Sequence, residues 1–157
     1  MNKLSINLWF DNQAEEAVDF YMTVFKDGKK GNVVKYPNVG QEITGGAPGS
    51  VMTVDFEALD THFVALNGGP IFKFNEATSF IINCETQEEI DYYWEKLSAV
   101  PESEQCGWLK DKFGVSWQVV PTALLDQLTS GDPDKAQRVM AALLKMHKLD
   151  MAALEAA

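Results

Sequence analysis

Bulky apolar side chains crowd residues 4–10, and Asp11 and Asn12 close the run, so the chain opens on a strand. The period then changes. Ala14, Ala17, Val18, Tyr21, Val24 and Phe25 recur every three or four positions, which gives a helix one apolar stripe. Asn12 with Glu15 predicts a capping box at its start, and Asp27-Gly28 marks its end, where glycine accepts a left-handed backbone. Residues 33–36 read as a short strand. Residues 37–49 are rich in Gly, Pro and polar side chains and read as an irregular, mobile loop. Two more strands follow, residues 50–56 and 61–67, joined by a turn at Leu59-Asp60, and the second runs into Gly68-Gly69-Pro70.

The same pattern then starts again. Residues 79–84 are short and apolar, Thr86 with Glu89 makes a second capping box, and Ile90, Tyr93, Trp94 and Leu97 form a second helical stripe. The two helices overlay at an offset of 72 residues, which sets Val18 on Ile90 and Tyr21 on Tyr93. The same offset lays Asn7 on Ser79 and Phe10 on Ile82, so an internal duplication is the economical reading. The second copy is abbreviated: strands are expected at 104–110 and 115–120, with room for only a very short third. Beyond Pro121 the chain turns helical, first over 122–128, then from Asp132-Pro133 with Ala136, Val139, Leu143 and Leu144 on one face. A last short helix is capped by Asp150. This tail either covers a sheet edge or packs on a second subunit.

Three segments carry a likeness to a known family. LWFDNQAEEAVDFY opens the first copy, LNGGP follows at residues 66–70, and CGWLKDKFGVSWQVVP closes the second copy. Together they resemble the PhnB-like branch of the vicinal-oxygen-chelate (glyoxalase/bleomycin-resistance) superfamily, whose branch name is 3-demethylubiquinone-9 3-methyltransferase-like. The resemblance implies an α+β fold. Two βαβββ-type modules would form a cup-shaped mixed sheet, with module one at 1–75, an abbreviated module two at 76–121 and helices at 122–157, all in one domain. It also implies a homodimer. Enzymes of the superfamily hold a divalent metal with His, Glu or Gln from the first strand of each module and from a last strand. At those slots this chain has Asn7, Ser79 and Gln118, and neutral amides and a hydroxyl are weak ligands for transition metals. No metal and no cofactor are therefore expected there. The three groups are instead suited to donate to and accept from an uncharged polar ligand, or to satisfy one another.

Trp9 shares the parity of Asn7, which favours a cleft wall, whereas Trp117 has the opposite parity to Gln118 and suits a core against a helix. His62, Asn67, Cys106 and Trp108 complete the expected cleft, and the first three have a plainer role open to them. His62 could be a strand-edge residue, and Asn67 could merely begin the turn. Cys106, with no histidine near it in sequence to activate it, could be packing. Lys110-Asp111-Lys112 reads as a solvated hairpin tip, where Asp111 could be a rim residue.

Charge narrows the partners. Over 157 residues, 13 basic against 23 acidic side chains give −10, which repels nucleic acid and anionic lipid surfaces. Cys84 and Cys106 lie in no CxxC pair or zinc-type cluster, and no apolar run approaches membrane-spanning length, so a cytoplasmic protein is expected. A methyltransferase of Rossmann type needs a Gly-rich turn between strand and helix. Here Gly45-Gly46 leads into a strand and Gly68-Gly69-Pro70 into no helix. The expected function is a small-molecule-binding protein with a metal-free, aromatic and amide-lined cleft. The alternative is an enzyme of the same superfamily that uses acid–base chemistry or a metal held elsewhere, by His62 or an acidic residue. A true methyltransferase and a protein-interaction module rank behind these two.

Overall fold

The computed structural model describes residues 3–157, and the chain divides into two compact units, Met1–Lys73 and Phe74–Ala157. The first contains β1 (Ile6–Phe10), α1 (Ala14–Val24), β2 (Lys29–Lys35), α2 (Gln41–Thr44), β3 (Val51–Ala58) and β4 (Thr61–Asn67). Its four strands lie in the order β1-β4-β3-β2, with β1 and β4 parallel and the other pairs antiparallel. Alternation along the strands puts Leu8, Phe10, Val54, Phe56, Phe63 and Ala65 on one buried face. That face meets the α1 stripe, where Tyr21 stacks on Phe56, which in turn stacks on Phe63. Leu59 (φ 50°) and Asp60 (φ 56°) both sit in the left-handed region. This is the two-residue turn whose twist matches a hairpin, and it pairs Ala58 with Thr61.

Three details differ from the sequence expectation. The first capping box does not form, because α1 begins at Ala14 after Gln13, leaving Asn12 and Glu15 one position out of the required spacing. Asn67 Oδ1 takes the Ala14 N–H instead, at 2.8 Å. The 37–49 segment is not wholly irregular: it holds the single turn α2, bounded by left-handed Gly40 and Gly45. Finally, β2 is longer than its apolar core, since backbone pairing with β3 carries on through Lys29 and Lys30.

The second unit contains β5 (Phe80–Cys84), α3 (Gln87–Leu97), β6 (Trp108–Lys110), β7 (Ser116–Pro121), α4 (Ala123–Leu128), α5 (Pro133–Leu143) and α6 (Met151–Glu155). Its strand order is β5-β7-β6, with β5 and β7 parallel. In both units the first strand runs parallel to the last, and the second sheet has one strand fewer. That is the topology of an abbreviated duplicate. Ile82, Cys84, Leu109, Trp117 and Val119 bury against α3, which contributes Ile90 and Leu97. The Thr86 hydroxyl caps α3 by accepting the Glu89 N–H, while the Glu89 carboxylate accepts the Glu85 N–H.

The expected strand over 104–110 is broken. Cys106 (φ 52°) and Gly107 (φ 84°) form a second left-handed two-residue turn, bridged by Gln105 and Trp108. The tail packs on its own unit: Val139, Leu143, Leu149 and Leu154 form a core joined by Cys106, Val120 and Met146. Asp111 is no solvated rim residue either. It is fully buried, with Oδ1 accepting from Phe113 N and Val115 N and Oδ2 accepting from Trp117 Nε1 at 2.9 Å.

Candidate functional site

Strand register decides which side chains share a face. In the first unit Asn7 lies beside Val64, Trp9 beside Leu66, Asp55 beside Val64 and Glu57 beside His62, so all of them line the sheet face opposite α1. Asn7 is exposed there and Trp9 is half-buried. The Trp9 indole donates to Gly69 O at 2.9 Å and stands edge-on to Phe72. Gly68 permits this, since a Cβ there would lie 2.3 Å from the indole ring.

Asn67 ties the end of β4 to α1, to β3 and to the segment that follows β2. Besides capping α1, its Nδ2 donates to Val51 O at 3.1 Å, and its backbone carbonyl accepts the Tyr36 hydroxyl at 2.5 Å. The side-chain amide is thus committed to the scaffold. Around it opens a cleft of about 650 Å³, bounded by Tyr36, Ile43, Gly46, Asn67 and Gly69, with Asp11, Glu15 and Glu42 at its edge. Gly46 lies against the Tyr36 ring so closely that a Cβ would come within 2.5 Å of it. Tyr36 is a site residue that sequence reading missed. It was the one aromatic of the strand expected over 33–36, and it lies just past Lys35, where β2 ends.

His62 borders a different cavity, of about 270 Å³, shared with Asp55, Glu57, Lys29 and Gly31. Its Nδ1 is 2.8 Å from Ser5 Oγ, and its Nε2 is 3.7 Å from Asp55 Oδ2. Asp55 and Glu57 were also missed, although a two-residue turn at Leu59-Asp60 fixes their register against His62. Among the described residues, no group of three or more His, Cys, Asp or Glu side chains could hold a metal ion.

In the second unit, Gln118 lies beside Ile81 and Trp108, and its Nε2 donates to Ser79 Oγ at 2.9 Å. These two polar groups satisfy each other in part. Cys106 takes the packing role that was open to it: its N–H donates to Met146 O and its side chain packs against the tail core. Burial, then the nearby Glu89 carboxylate, pushes the Cys84 thiol up to about 12 from an ordinary 9.0. Hydrogen bonds from lysines hold two exposed carboxylates below their usual range, Glu76 through Lys110 and Asp91 through Lys148.

A family model described as 3-demethylubiquinone-9 3-methyltransferase matches residues 2–120. The chain belongs to this family. Among solved structures it is similar to a PhnB protein from Bacillus cereus, provisionally described by the same methyltransferase name, at 32% identity. The match covers 77% of this chain and 100% of that one, with a TM-score of 0.62. A Pseudomonas aeruginosa protein matches at 16% identity, covering 77% and 98%, with a TM-score of 0.57. The fosfomycin resistance protein FosX from Listeria monocytogenes, solved with Mn(II) and sulfate, matches at 12% identity, covering 83% and 98%, with a TM-score of 0.54. No curated protein matches. The PhnB-like family places the chain in the vicinal-oxygen-chelate superfamily, and the FosX likeness shows the same fold. No helix among the described residues is long and apolar enough to cross a membrane.

Proposed function

We propose that this PhnB-like chain is a small-molecule-binding protein of the glyoxalase/bleomycin-resistance type, acting as a cytoplasmic homodimer, and that the cleft around Tyr36 and Asn67 receives the ligand. The observation that carries this reading is the cleft itself. Its volume of about 650 Å³ falls in the range that encloses small organic molecules. Its walls are held from behind by the Asn67 bonds, the Tyr36–Asn67 contact and the Trp9–Gly69 contact, so it is largely pre-formed.

The lining also selects. Asp11, Glu15 and Glu42 face it with no lysine, arginine or histidine among the described lining residues, while Ile43, Val51 and Ile71 supply apolar surface. Neutral or cationic ligands with an apolar body fit this chemistry, and anions such as phosphonates do not. The methyltransferase in the family's name gains no support from the architecture. Each parallel strand pair is bounded by antiparallel partners, and among the described residues no glycine-rich turn joins a strand to a helix.

Thermal-shift and calorimetric titration against matched cationic, neutral and anionic aromatic compounds tests the proposal. Cationic or neutral members should raise the melting temperature, and Glu15→Gln should weaken the cationic ones selectively. Binding confined to anions, or unaffected by changes at Tyr36 and Glu15, would overturn it.

A further inference from the structure

On the reading that the Asn67 cleft receives a ligand, we infer that α2 (Gln41–Thr44) is its lid, held open by the like charges of Glu42, Glu15 and Asp11 and drawn shut when a cationic ligand neutralises them.

Sheet topology sets the turn opposite a fixed wall. β1, β4 and β2 all point the same way, so the chain leaves β1 for α1 and leaves β2 for α2 at one end of the sheet, with β4 and β3 between. The cleft lies at that end, with Asp11 and Glu15 on the β1 side, residues 68–71 after β4, and residues 42–46 on the β2 side. The Asn67 and Trp9 bonds fix the rear wall, whereas α2 is bonded to its own segment. Ile43 and Thr44 N–H donate to Gly40 O, Gly45 N–H donates to Gln41 O, and Gln41 Nε2 donates to Asn38 Oδ1. The base of the segment is pinned at Tyr36, whose N–H donates to Ser50 O and whose carbonyl accepts from Gly49 N–H. Between these anchors Gly40 (φ 76°) and Gly45 (φ 67°) hold the left-handed backbone, and a Cβ at either would meet nothing within 4 Å. Open space surrounds both ends of the turn, and the two glycines bracket it as hinges.

Two opposed forces act on the turn. Ile43 is 86% exposed and Ile71, on the lip after β4, is 76% exposed although both line the cleft, so closure buries apolar surface that the open form leaves in water. Charge resists it. Glu42 rides on the turn, Glu15 on α1 and Asp11 just past β1, and among the described residues no lysine, arginine or histidine lines the cleft with them. A space of about 650 Å³ is on the order of 9 Å across, inside the Debye length of about 10 Å at 0.1 M salt, so the three carboxylates repel across it. Closing brings Glu42 nearer the other two and away from water, where the repulsion grows. A cation with an apolar body reverses the first force and adds to the second, because its charge draws Glu42 inward while its body meets Ile43 and Ile71. A neutral ligand offers the apolar contact alone and closes the lid less.

The test begins with the ligand-free, full-length protein and NMR hydrogen-exchange protection factors for residues 41–46. Glu42→Gln should raise them about three-fold, as should moving the wild type from about 20 mM to about 0.5 M NaCl, with the β3 and β4 amides unchanged. Glu15→Gln, which leaves the sequence of the turn untouched, should act in the same direction. Phenethylammonium and its neutral analogue phenethyl alcohol then serve as probes, with binding read by calorimetry. At saturation the ammonium should raise protection over 41–46 about ten-fold and the alcohol at most about three-fold. Ile43→Ser, exposed in the open form, should cut the gain with the ammonium at least about three-fold. Protection that is equal in wild type, Glu42→Gln and Glu15→Gln, or equal with the two saturating probes, would overturn the lid while leaving the cleft as a ligand site. Failure of both probes to bind would overturn the ligand reading of the cleft and the lid with it.

Discussion

Replacing Asp111 with asparagine changes almost no volume, so its cost isolates the carboxylate that closes the β6–β7 turn. The substituted amide can keep its oxygen on Phe113 N and Val115 N, but it must then set an NH₂ against the Trp117 indole N–H, now 2.9 Å from Oδ2. A hydrogen bond to a charged group contributes about 1.5–3 kcal/mol, and the two facing donors add a desolvation penalty of about 1 kcal/mol or more. Relief from burying a charge offsets part of this. The expected net loss is about 2–4 kcal/mol, a large share of the roughly 5–15 kcal/mol that holds a domain folded. For a chain of this size that lowers the melting temperature by very roughly 4–16 °C.

Urea denaturation followed by far-UV circular dichroism measures the loss, and a double-mutant cycle assigns it. Trp117→Phe removes the indole N–H, so in that background Asp111→Asn no longer opposes two donors. The double variant should be more stable than the sum of the singles by about 1 kcal/mol or more. A loss for Asp111→Asn below about 0.5 kcal/mol, or a cycle additive within about 0.5 kcal/mol, would refute the reasoning.

Gly68→Ala should destabilise the first unit by about 1–3 kcal/mol, because its Cβ would enter the Trp9 ring. Trp9→Phe should recover part of that in chemical denaturation, since the smaller ring can retreat. The Cys84 thiol is fully buried and its folded pKa is raised to about 12, so the native state favours the neutral form. Its contribution to stability is therefore complete below about pH 9 and is lost as pH climbs toward 12. At pH 8, Cys84 should resist alkylating reagents until denaturant is added, as read by peptide mass spectrometry, and modification in the native state would contradict its burial.

What could be read from the sequence depended on the range of the interaction. Strands and long helices were legible because a period of two or 3.6 records burial residue by residue, and the 72-residue offset identified matching faces. The Leu8/Phe10 and Ile82/Cys84 faces are buried on that parity, and Trp117 packs as core. The C-terminal caps were also legible, since Asp132 and Asp150 bond only to backbone within three residues. Side chains that answer to distant backbone were not. Lys110-Asp111-Lys112 has the composition of a solvated tip, yet the turn aims only its middle residue inward. The strand expected over 104–110 was misread because the left-handed backbone at Cys106 and Gly107 turns it into a corner that the tail covers. Of the partners of His62, Asp55 sits across the same hairpin and was within reach of its register, but Ser5 lies before β1 and no local pattern connects it to the histidine.

The two units also differ in what stands at the start of the helix. In the parallel pairs, Phe10 faces Asn67 and Ile82 faces Val119, so Val119 occupies in the second copy the place of Asn67 in the first. An amide there reaches the first N–H of α1, and Gln13 at the cap makes no side-chain bond of its own. A valine cannot do this, and α3 is capped locally by Thr86. The start of α3 is then bridged by the tail. Gln87 Nε2 donates to Leu149 O, Gln87 Oε1 accepts from Met151 N, and Lys148 pairs with Asp91. At α1 the corresponding ground, beside Asp11, Asn12 and Glu15, is open cleft. The copy with an amide at that strand end thus has its cleft beside the helix start, while the copy with valine there anchors the C-terminal helices at the equivalent place, where Gln87, Asp91, Lys148 and Met151 line a cavity of about 620 Å³.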